Sequence, residues 1–343
     1  MNTRPGAGEG ERKGLFRPGL HYIVQYTGLL TAAGAVACVG TVAGFFGYFF
    51  WLADLFAHFR VQYLLGLTLL SLLLLLAGRR KTVGIFLVFA AVNLALLLPL
   101  YLGGQSGTAH EGQDGPGFRV MLLNVNKTDG NPQRVSRLIR ETAPDIIVLE
   151  EISRQWQTDL ARLSRSFPHA VVRPREDNFG IGLFSTFPLV KHSIISPGRA
   201  ALPTILAVVR IEQRDVQLIA THPMPPLGPE LSRLRNEQLD QLPQYVGSSL
   251  PVILLGDLNT SPWSPHFKRL LQRTRLRNSM PGFGVQATWP DSNPFLRIPL
   301  DHVLHSDHIV VRNREVGPDA GSDHLPVIVD FSFNLNGFSP DKG

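Results

Sequence analysis

Apolar residues are concentrated in the first third of this 343-residue chain. They form three long runs, at residues 27–52, 61–77 and 82–102. A helix needs about 20 apolar residues to cross a bilayer. None of the runs carries Lys, Arg, Asp or Glu in its centre. Three such runs in succession, joined by short loops, argue against buried helices of a soluble core and predict three transmembrane helices. The first run is too long for a signal-peptide core and lacks an evident cleavage context. A Gly-rich polar stretch follows, from Gly103-Gly104-Gln105-Ser106-Gly107 to Gly117, and reads as a flexible linker.

From Phe118 the pattern changes. Short apolar strands are expected at 119–125, 145–151, 170–172, 182–185, 206–211, 216–221, 252–255, 303–305 and 327–331. Helical spacing appears at 132–142 (Val135, Leu138, Ile139), at 154–167 and at 229–245, where Leu231, Leu234, Leu239 and Leu242 share one side. Many strands interleaved with a few helices indicate a layered α/β or α+β domain. No internal repeat is visible. The expected division is a basic tail (1–26), a membrane anchor (27–103), a linker (104–117), a folded domain (118–333) and a C-terminal tail (334–343).

Charge adds an orientation. The tail carries Arg4, Arg12, Lys13 and Arg17, and the turn between the second and third runs is Gly78-Arg79-Arg80-Lys81. The other short loop holds only Asp54, His58 and Arg60. The positive-inside rule places both basic segments in the cytoplasm and everything after residue 103 outside it, as in a protein of the bacterial inner or plasma membrane. The net charge of +6 suits an anionic partner such as a phosphate compound, nucleic acid or lipid head group, although basic residues near a membrane can simply set orientation. The single cysteine, Cys38, reads as a small packing residue in the first run and excludes an intrachain disulfide or a Cys-based zinc site. Any metal must be held by oxygen or imidazole ligands.

Candidate chemistry recurs where apolar strands end. Asn124 and Asn126 close the first strand, Glu150 and Glu151 the second, and His222 follows 216–221. Asp257 and Asn259 follow 252–255, Asp301 and His302 precede 303–305, and Asp323 and His324 precede 327–331. Strand ends on one edge of a sheet converge, so these groups can share one cleft. Carboxylate and amide oxygens suit Mg²⁺, a carboxylate can orient or deprotonate an attacking water, and histidines can donate to a charged transition state.

Leu122-Leu123-Asn124-Val125-Asn126, Pro144-Asp145 through Leu149-Glu150-Glu151, Gly256-Asp257-Leu258-Asn259 and Gly321-Ser322-Asp323-His324 together resemble the ordered motifs of the endonuclease/exonuclease/phosphatase superfamily. The resemblance covers most of residues 118–333. It implies an α/β fold, a four-layer sandwich of two packed mixed sheets flanked by helices, and a Mg²⁺-dependent (or Mn²⁺-dependent) phosphoester hydrolase. It also implies roles. Glu151 is the metal-binding glutamate, with Glu150 in place of the family's glutamine. Asn124 helps organise metal and phosphate. Asn126 stands where some members have aspartate. Asp257 positions the water, and Asn259 binds phosphate beside it. His324 contacts the scissile phosphate, with Asp301 fixing its tautomer, and Asp323 supports the metal side. His222 resembles a further histidine of the DNase and sphingomyelinase branches; apurinic endonucleases differ there.

Other residues read more blandly. Glu150 is expected to be a solvated or outer-layer carboxylate rather than a ligand. Asp177 and Asn178 are loop polars that can border the cleft. His302 and His305 lie on opposite faces of a strand, so their proximity to His308 is incidental. Trp263 and Trp289 are expected to pack rather than flank the cleft. The phosphoester substrate can be a lipid head group, nucleic acid or small phosphate ester. Arg233, Arg235, Lys268, Arg269, Arg273, Arg275 and Arg277 could form a nucleic-acid track or simply be solvated helical faces. No exposed apolar hairpin for lipid binding is identifiable. The competing reading is a catalytically inactive, membrane-tethered binding module on the same fold, which degenerate site positions would favour; none is found. A transporter or sensor is disfavoured by the lack of intramembrane charge.

Overall fold

A computed structural model describes residues 18–102, 117–247 and 249–334. Apart from Gly117 and Asn334, the expected linker and C-terminal tail lie outside the described residues, as does the basic tail before Pro18.

Three helical stretches, Gln25–Phe46, Trp51–Leu76 and Arg80–Leu102, are long and apolar enough to cross a membrane. They are built from α1 (Pro18–Ala43), α2 (Trp51–Phe56), α3 (Arg60–Leu76), α4 (Arg80–Leu97) and the short α5 (Pro99–Leu102), with 3-10 turns at Gly44–Phe46 and Ala57–Phe59. The first stretch stops at Phe46, earlier than the apolar run suggests. Phe50 is extended, with φ −144° and ψ 123°, and restarts the chain as α2. Asp54, His58 and Arg60, expected in an ordinary loop, are instead helical and buried. Arg60 Nη1 donates to the Thr41 carbonyl at 2.8 Å, and Asn93 Nδ2 donates to Thr41 Oγ1 at 2.8 Å, so part of this polar group is paired within the bundle. Cys38 packs with Leu67, Leu74, Val83 and Phe86.

The remainder forms four layers. One sheet has the order β11-β12-β1-β2-β4-β3 and the other β5-β6-β7-β8-β10-β9. The strands of the first are β1 (Gly117–Asn124), β2 (Ile146–Glu150), β3 (His169–Arg173), β4 (Ile181–Ser185), β11 (Ile309–Val316) and β12 (Val327–Phe333). Those of the second are β5 (Leu189–Ile195), β6 (Thr204–Ile211), β7 (Arg214–Thr221), β8 (Val252–Asp257), β9 (Arg277–Asn278) and β10 (Asp301–His305). Both sheets are mixed: β1 runs parallel to β2 and antiparallel to β12, while β7 runs parallel to β8, which is antiparallel to β10. The period of two along a strand divides each sheet's apolar side chains between its faces. In β1, Phe118, Val120 and Leu122 enter the core between the sheets. Met121 and Leu123 face outward, under α6 (Pro132–Thr142) and α7 (Arg154–Asp159). On the other side, Ile219, Leu254 and Leu304 pack beneath α8 (Pro229–Gln241) and α9 (Pro265–Thr274).

The helix expected at 154–167 breaks after Asp159 and continues as a 3-10 segment, Ala161–Arg165. The helix expected at 229–245 likewise ends in a 3-10 turn, Leu242–Tyr245. The side of α8 that is most buried carries Ser232, Arg235 and Gln238 with Leu239, a largely polar face that the leucine pattern does not reveal.

That face explains how the anchor and the folded domain meet. Arg235 Nη2 donates to Asp54 Oδ2 at 2.6 Å, and Ser264 Oγ donates to Asp54 Oδ1 at 2.6 Å. His58 Nδ1 is 2.8 Å from Ser261 Oγ. Trp263 Nε1 donates to the Leu96 carbonyl at 3.2 Å, and the amides of Gly282 and Gly284 donate to the Leu100 carbonyl at 2.8 and 2.9 Å. Leu97, Leu100, Trp263 and Met280 form a common apolar cluster. The domain therefore rests on one end of the helical bundle, while exposed Arg79, Arg80 and Lys81 mark the other.

Candidate active site

The strand ends singled out in the sequence meet at one edge of the sandwich. The parallel pairing of β1 with β2 sets Asn124 beside Glu150, and the antiparallel pairing of β8 with β10 sets Asp257 opposite Asp301. His222 follows β7, and Asp323 and His324 lie in the turn leading into β12. Ser322 Oγ donates to the Asn124 carbonyl at 2.7 Å, tying that turn to the end of β1. Gly256 permits the close approach of neighbouring strands, because a Cβ there would overlap the Thr221 carbonyl.

Glu151 leaves β2 in a left-handed conformation, φ 62°. Asn126 and Asn259 share it, each with φ 50°. Asparagine tolerates this region, but a glutamate there is strained by about 1–3 kcal/mol. The consequence is that Glu151 turns out of the strand direction toward the cleft. Asn124 Nδ2 donates to Glu151 Oε1 at 3.0 Å and the Lys127 amide to Oε2 at 3.3 Å. Asn126 Nδ2 donates to Asp323 Oδ1 at 2.9 Å, and Trp289 Nε1 to Asp323 Oδ2 at 3.1 Å.

Across the cleft, His324 Nδ1 lies 2.9 Å from Asp301 Oδ2. His324 Nε2 and His222 Nε2 each lie 3.6 Å from Asp257 Oδ2, longer than hydrogen bonds, so this oxygen retains capacity to accept. Asp257 Oδ1 accepts from the Asn259 amide at 2.9 Å. Asn259 Nδ2 donates to the Pro223 carbonyl at 3.0 Å, which fixes the side chain beside Asp257.

Electrostatics separate the two histidines. Burial opposes charge on His324, but the Asp301 and Asp257 carboxylates overcome it and lift its pKa to about 10. Burial and then the charge of His324 drive His222 down to about 3, so it is neutral. Burial raises Asp257 above the ordinary carboxylate range, while His324 holds Asp301 below it in spite of burial. Glu150 is fully buried behind Asp257, which fits the outer-layer half of the expectation and not the solvated half. It accepts the Asp257 amide at 2.9 Å, and burial followed by the Asp257 charge raises its pKa well above the ordinary carboxylate value.

Glu151, His222, Asp257, Asn259, Asp323 and His324 line a single cleft of about 430 Å³. Asn124, Asn126 and Asp301 stand behind this lining and hold Glu151, Asp323 and His324 respectively. Asp257, Asp301 and His324 bring three ligand-type atoms within 4.8 Å of one another, but His324 and Asp301 already satisfy each other. Glu151 is the better cation ligand. Burial raises its pKa, and a bound cation would supply the missing counter-charge. Four carboxylates (Glu151, Asp257, Asp301 and Asp323) face one imidazolium here, and this excess of oxygen-borne negative charge fits a divalent cation.

Several cleft residues carry no signal in the sequence. Leu55, His58 and Phe59 reach the cleft from the N-terminal helical bundle. Phe179 enters from the 177–180 loop, its ring 5.3 Å from that of His222. Trp289 lines the cleft, whereas Trp263 packs against the anchor, so the packing expectation holds for one tryptophan only. Among the other residues weighed, Asn178 borders the cleft and Asp177 pairs with Arg175. His302 and His305 bond to the carbonyls of Thr260 and Ser306 and form no cluster.

Two packed mixed sheets with this cleft at their edge constitute a phosphoesterase fold. The chain belongs to the Endonuclease/Exonuclease/phosphatase family, whose pattern matches residues 121–324, more than half of the sequence. Members of this family are generally metal-dependent phosphoester hydrolases. Similar solved structures include the human Nocturnin catalytic domain with bound sulfate, 24% identical with a TM-score of 0.55 over 64% of this chain and 96% of that one. A family protein from Bacteroides thetaiotaomicron is 20% identical, with a TM-score of 0.54 over 64% and 99%. Another from Beutenbergia cavernae is 22% identical, with a TM-score of 0.51 over 64% and 72%. Comparison with curated proteins gives no match.

Proposed function

We propose that the protein is a membrane-anchored, divalent-metal-dependent phosphoester hydrolase whose catalytic domain works outside the cytoplasm. The observation that carries this reading is the single cleft in which Glu151, Asp257, His222 and the Asp301–His324 pair converge. Glu151, with Asn124 and Asp323, would hold Mg²⁺ (or Mn²⁺), which when bound neutralises charge on phosphoryl oxygens. Asp257, with one oxygen free toward the cleft, aligns the attacking water. His324, held as an imidazolium by Asp301, donates to the phosphoryl oxygen on which charge builds. Neutral His222 and Asn259 flank the same oxygens. The phosphoester specificity of the family supports an anionic substrate, and the position of the domain opposite the Arg79–Lys81 turn supports the extracytoplasmic orientation.

The test uses the full chain in detergent with bis(p-nitrophenyl) phosphate. Chelation should abolish hydrolysis and Mg²⁺ should restore it. Glu151→Gln should sharply raise the Mg²⁺ concentration needed, because an amide is a weaker ligand for a hard cation. Full activity in excess chelator would overturn the reading.

A further inference from the structure

The cleft has a second, apolar half. Opposite the phosphoryl-handling residues its wall is made by Leu55 and Phe59 of the anchor together with Pro226, Leu227, Ile298 and Leu300 of the domain. Leaving such a surface exposed to solvent is unfavourable, and a hydrocarbon group laid along it would remove it from water.

Part of this wall comes from a helical stretch long and apolar enough to cross a membrane. Leu55 and Phe59 fall within the stretch Trp51–Leu76. Just before it, Phe45, Phe46, Tyr48, Phe49 and Phe50 are all exposed. Tyr48 here and Trp51 at the start of the next stretch are the residue types enriched at bilayer interfaces. The domain meets this segment: Tyr48 stacks on His266 at 6.0 Å. Gln62, in the first turn of α3, donates to the carbonyls of Phe295 and Arg297 at 3.2 and 3.0 Å. That contact pins a loop whose Phe295 and Leu296 side chains are 85% and 53% exposed; Leu227, on the cleft lining, is 78% exposed. Large apolar groups therefore stand unburied both on the cleft lining and on a loop held by the start of α3.

The charged alternatives are weaker. Of the seven cations of the candidate nucleic-acid track, Arg235 is buried against Asp54, Arg233 pairs with Glu230, Arg269 and Arg273 pair with Asp240, and Arg277 pairs with Asp307, which leaves only exposed Lys268 and Arg275 outside these ion pairs.

We infer that the substrate is a lipid phosphoester drawn from the leaflet in which the anchor ends, its hydrocarbon part lying along the Leu55–Phe59 wall and its phosphate facing Glu151, Asp257 and His324. The inference rests on the hydrolase reading above. Water attacks phosphorus and one P–O ester bond breaks. The hydroxyl of the water stays on phosphorus, and its remaining proton ends on the departing alcohol oxygen.

The experiment compares three substrates with the full chain in vesicles: a long-chain phospholipid, its short-chain soluble analogue with the same head group, and bis(p-nitrophenyl) phosphate. The long-chain lipid should exceed the short-chain analogue in kcat/KM by at least about tenfold, since each buried methylene adds binding. In Leu227→Ser, an exposed position where folding is not at risk, the ratio of lipid to soluble-ester turnover should fall at least about tenfold. Phe295→Ser should lower the same ratio. If the soluble ester is hydrolysed while chain length and both substitutions leave the ratio unchanged, the lipid inference fails and the hydrolase reading stands. Faster cleavage of single-stranded DNA or RNA than of lipid would also overturn it. If no ester is cleaved, both readings fall.

Discussion

His324 is held between two carboxylates, and its pKa of about 10 depends on them. That dependence has a sign. Removing the charge of Asp301 lowers the imidazolium's pKa, so in Asp301→Asn the alkaline limb of the rate profile should move to lower pH. A pH–kcat profile checks this, and an unmoved limb would separate Asp301 from His324. The pair should also behave as one unit. His324→Ala should reduce kcat on the order of 10²–10³ with little change in KM. Asp301→Asn should cost less, and the double variant should be hardly worse than His324→Ala alone. Additive losses in that cycle would contradict the 2.9 Å contact as a working pair. At this scale the sequence is highly informative, because the motif residues sit where strands end and the register then brings Asp257 opposite Asp301. Glu150 is where it is incomplete. The motif separates Glu151 as the ligand from Glu150, but does not reveal that Glu151 alone adopts a left-handed backbone and turns into the cleft while Glu150 is fully buried with its pKa pushed up.

Apolar runs buried on both faces are read correctly, as in β1, β2 and β8, and so is the one-sided helix α6. β5 and α9 are missed, and α8 is expected but with a different buried face. β5 is an edge strand with Lys191, His192 and Ser193 exposed, so no alternation announces it. α8 buries Ser232, Arg235 and Gln238 because its partner is the polar Asp54 segment rather than a hydrocarbon core. This gives a stability prediction. Asp54→Ala leaves the Arg235 guanidinium buried without its counter-charge, a loss of about 3–5 kcal/mol. Thermal unfolding in detergent should show a lower midpoint. The double change Asp54→Leu with Arg235→Met should recover most of it, since an apolar pair of similar volume removes the buried charge altogether. A double variant as unstable as the single one would place the effect elsewhere.

For the whole molecule, hydropathy and charge predict the three helices and an orientation, but not the contact between anchor and domain. A Gly-rich stretch before Phe118 suggests independent parts, and contacts between residues some 180 positions apart leave no local trace, as with Asp54 and Arg235. The orientation remains open to a direct check: a reporter active only in the cytoplasm, fused after Gly343, should be silent. A strong signal would reverse the arrangement.

The shared wall of the cleft also bears on ancestry. Leu55 and Phe59 belong to the membrane segment yet line the same cavity as His324. An anchor exchanged for that of an unrelated membrane protein would retain attachment but lose part of the cavity and the partner of Arg235. Recombination between relatives should therefore be tolerated at breakpoints that inherit positions 54–59 together with 235 and 264, and penalised where a breakpoint divides them.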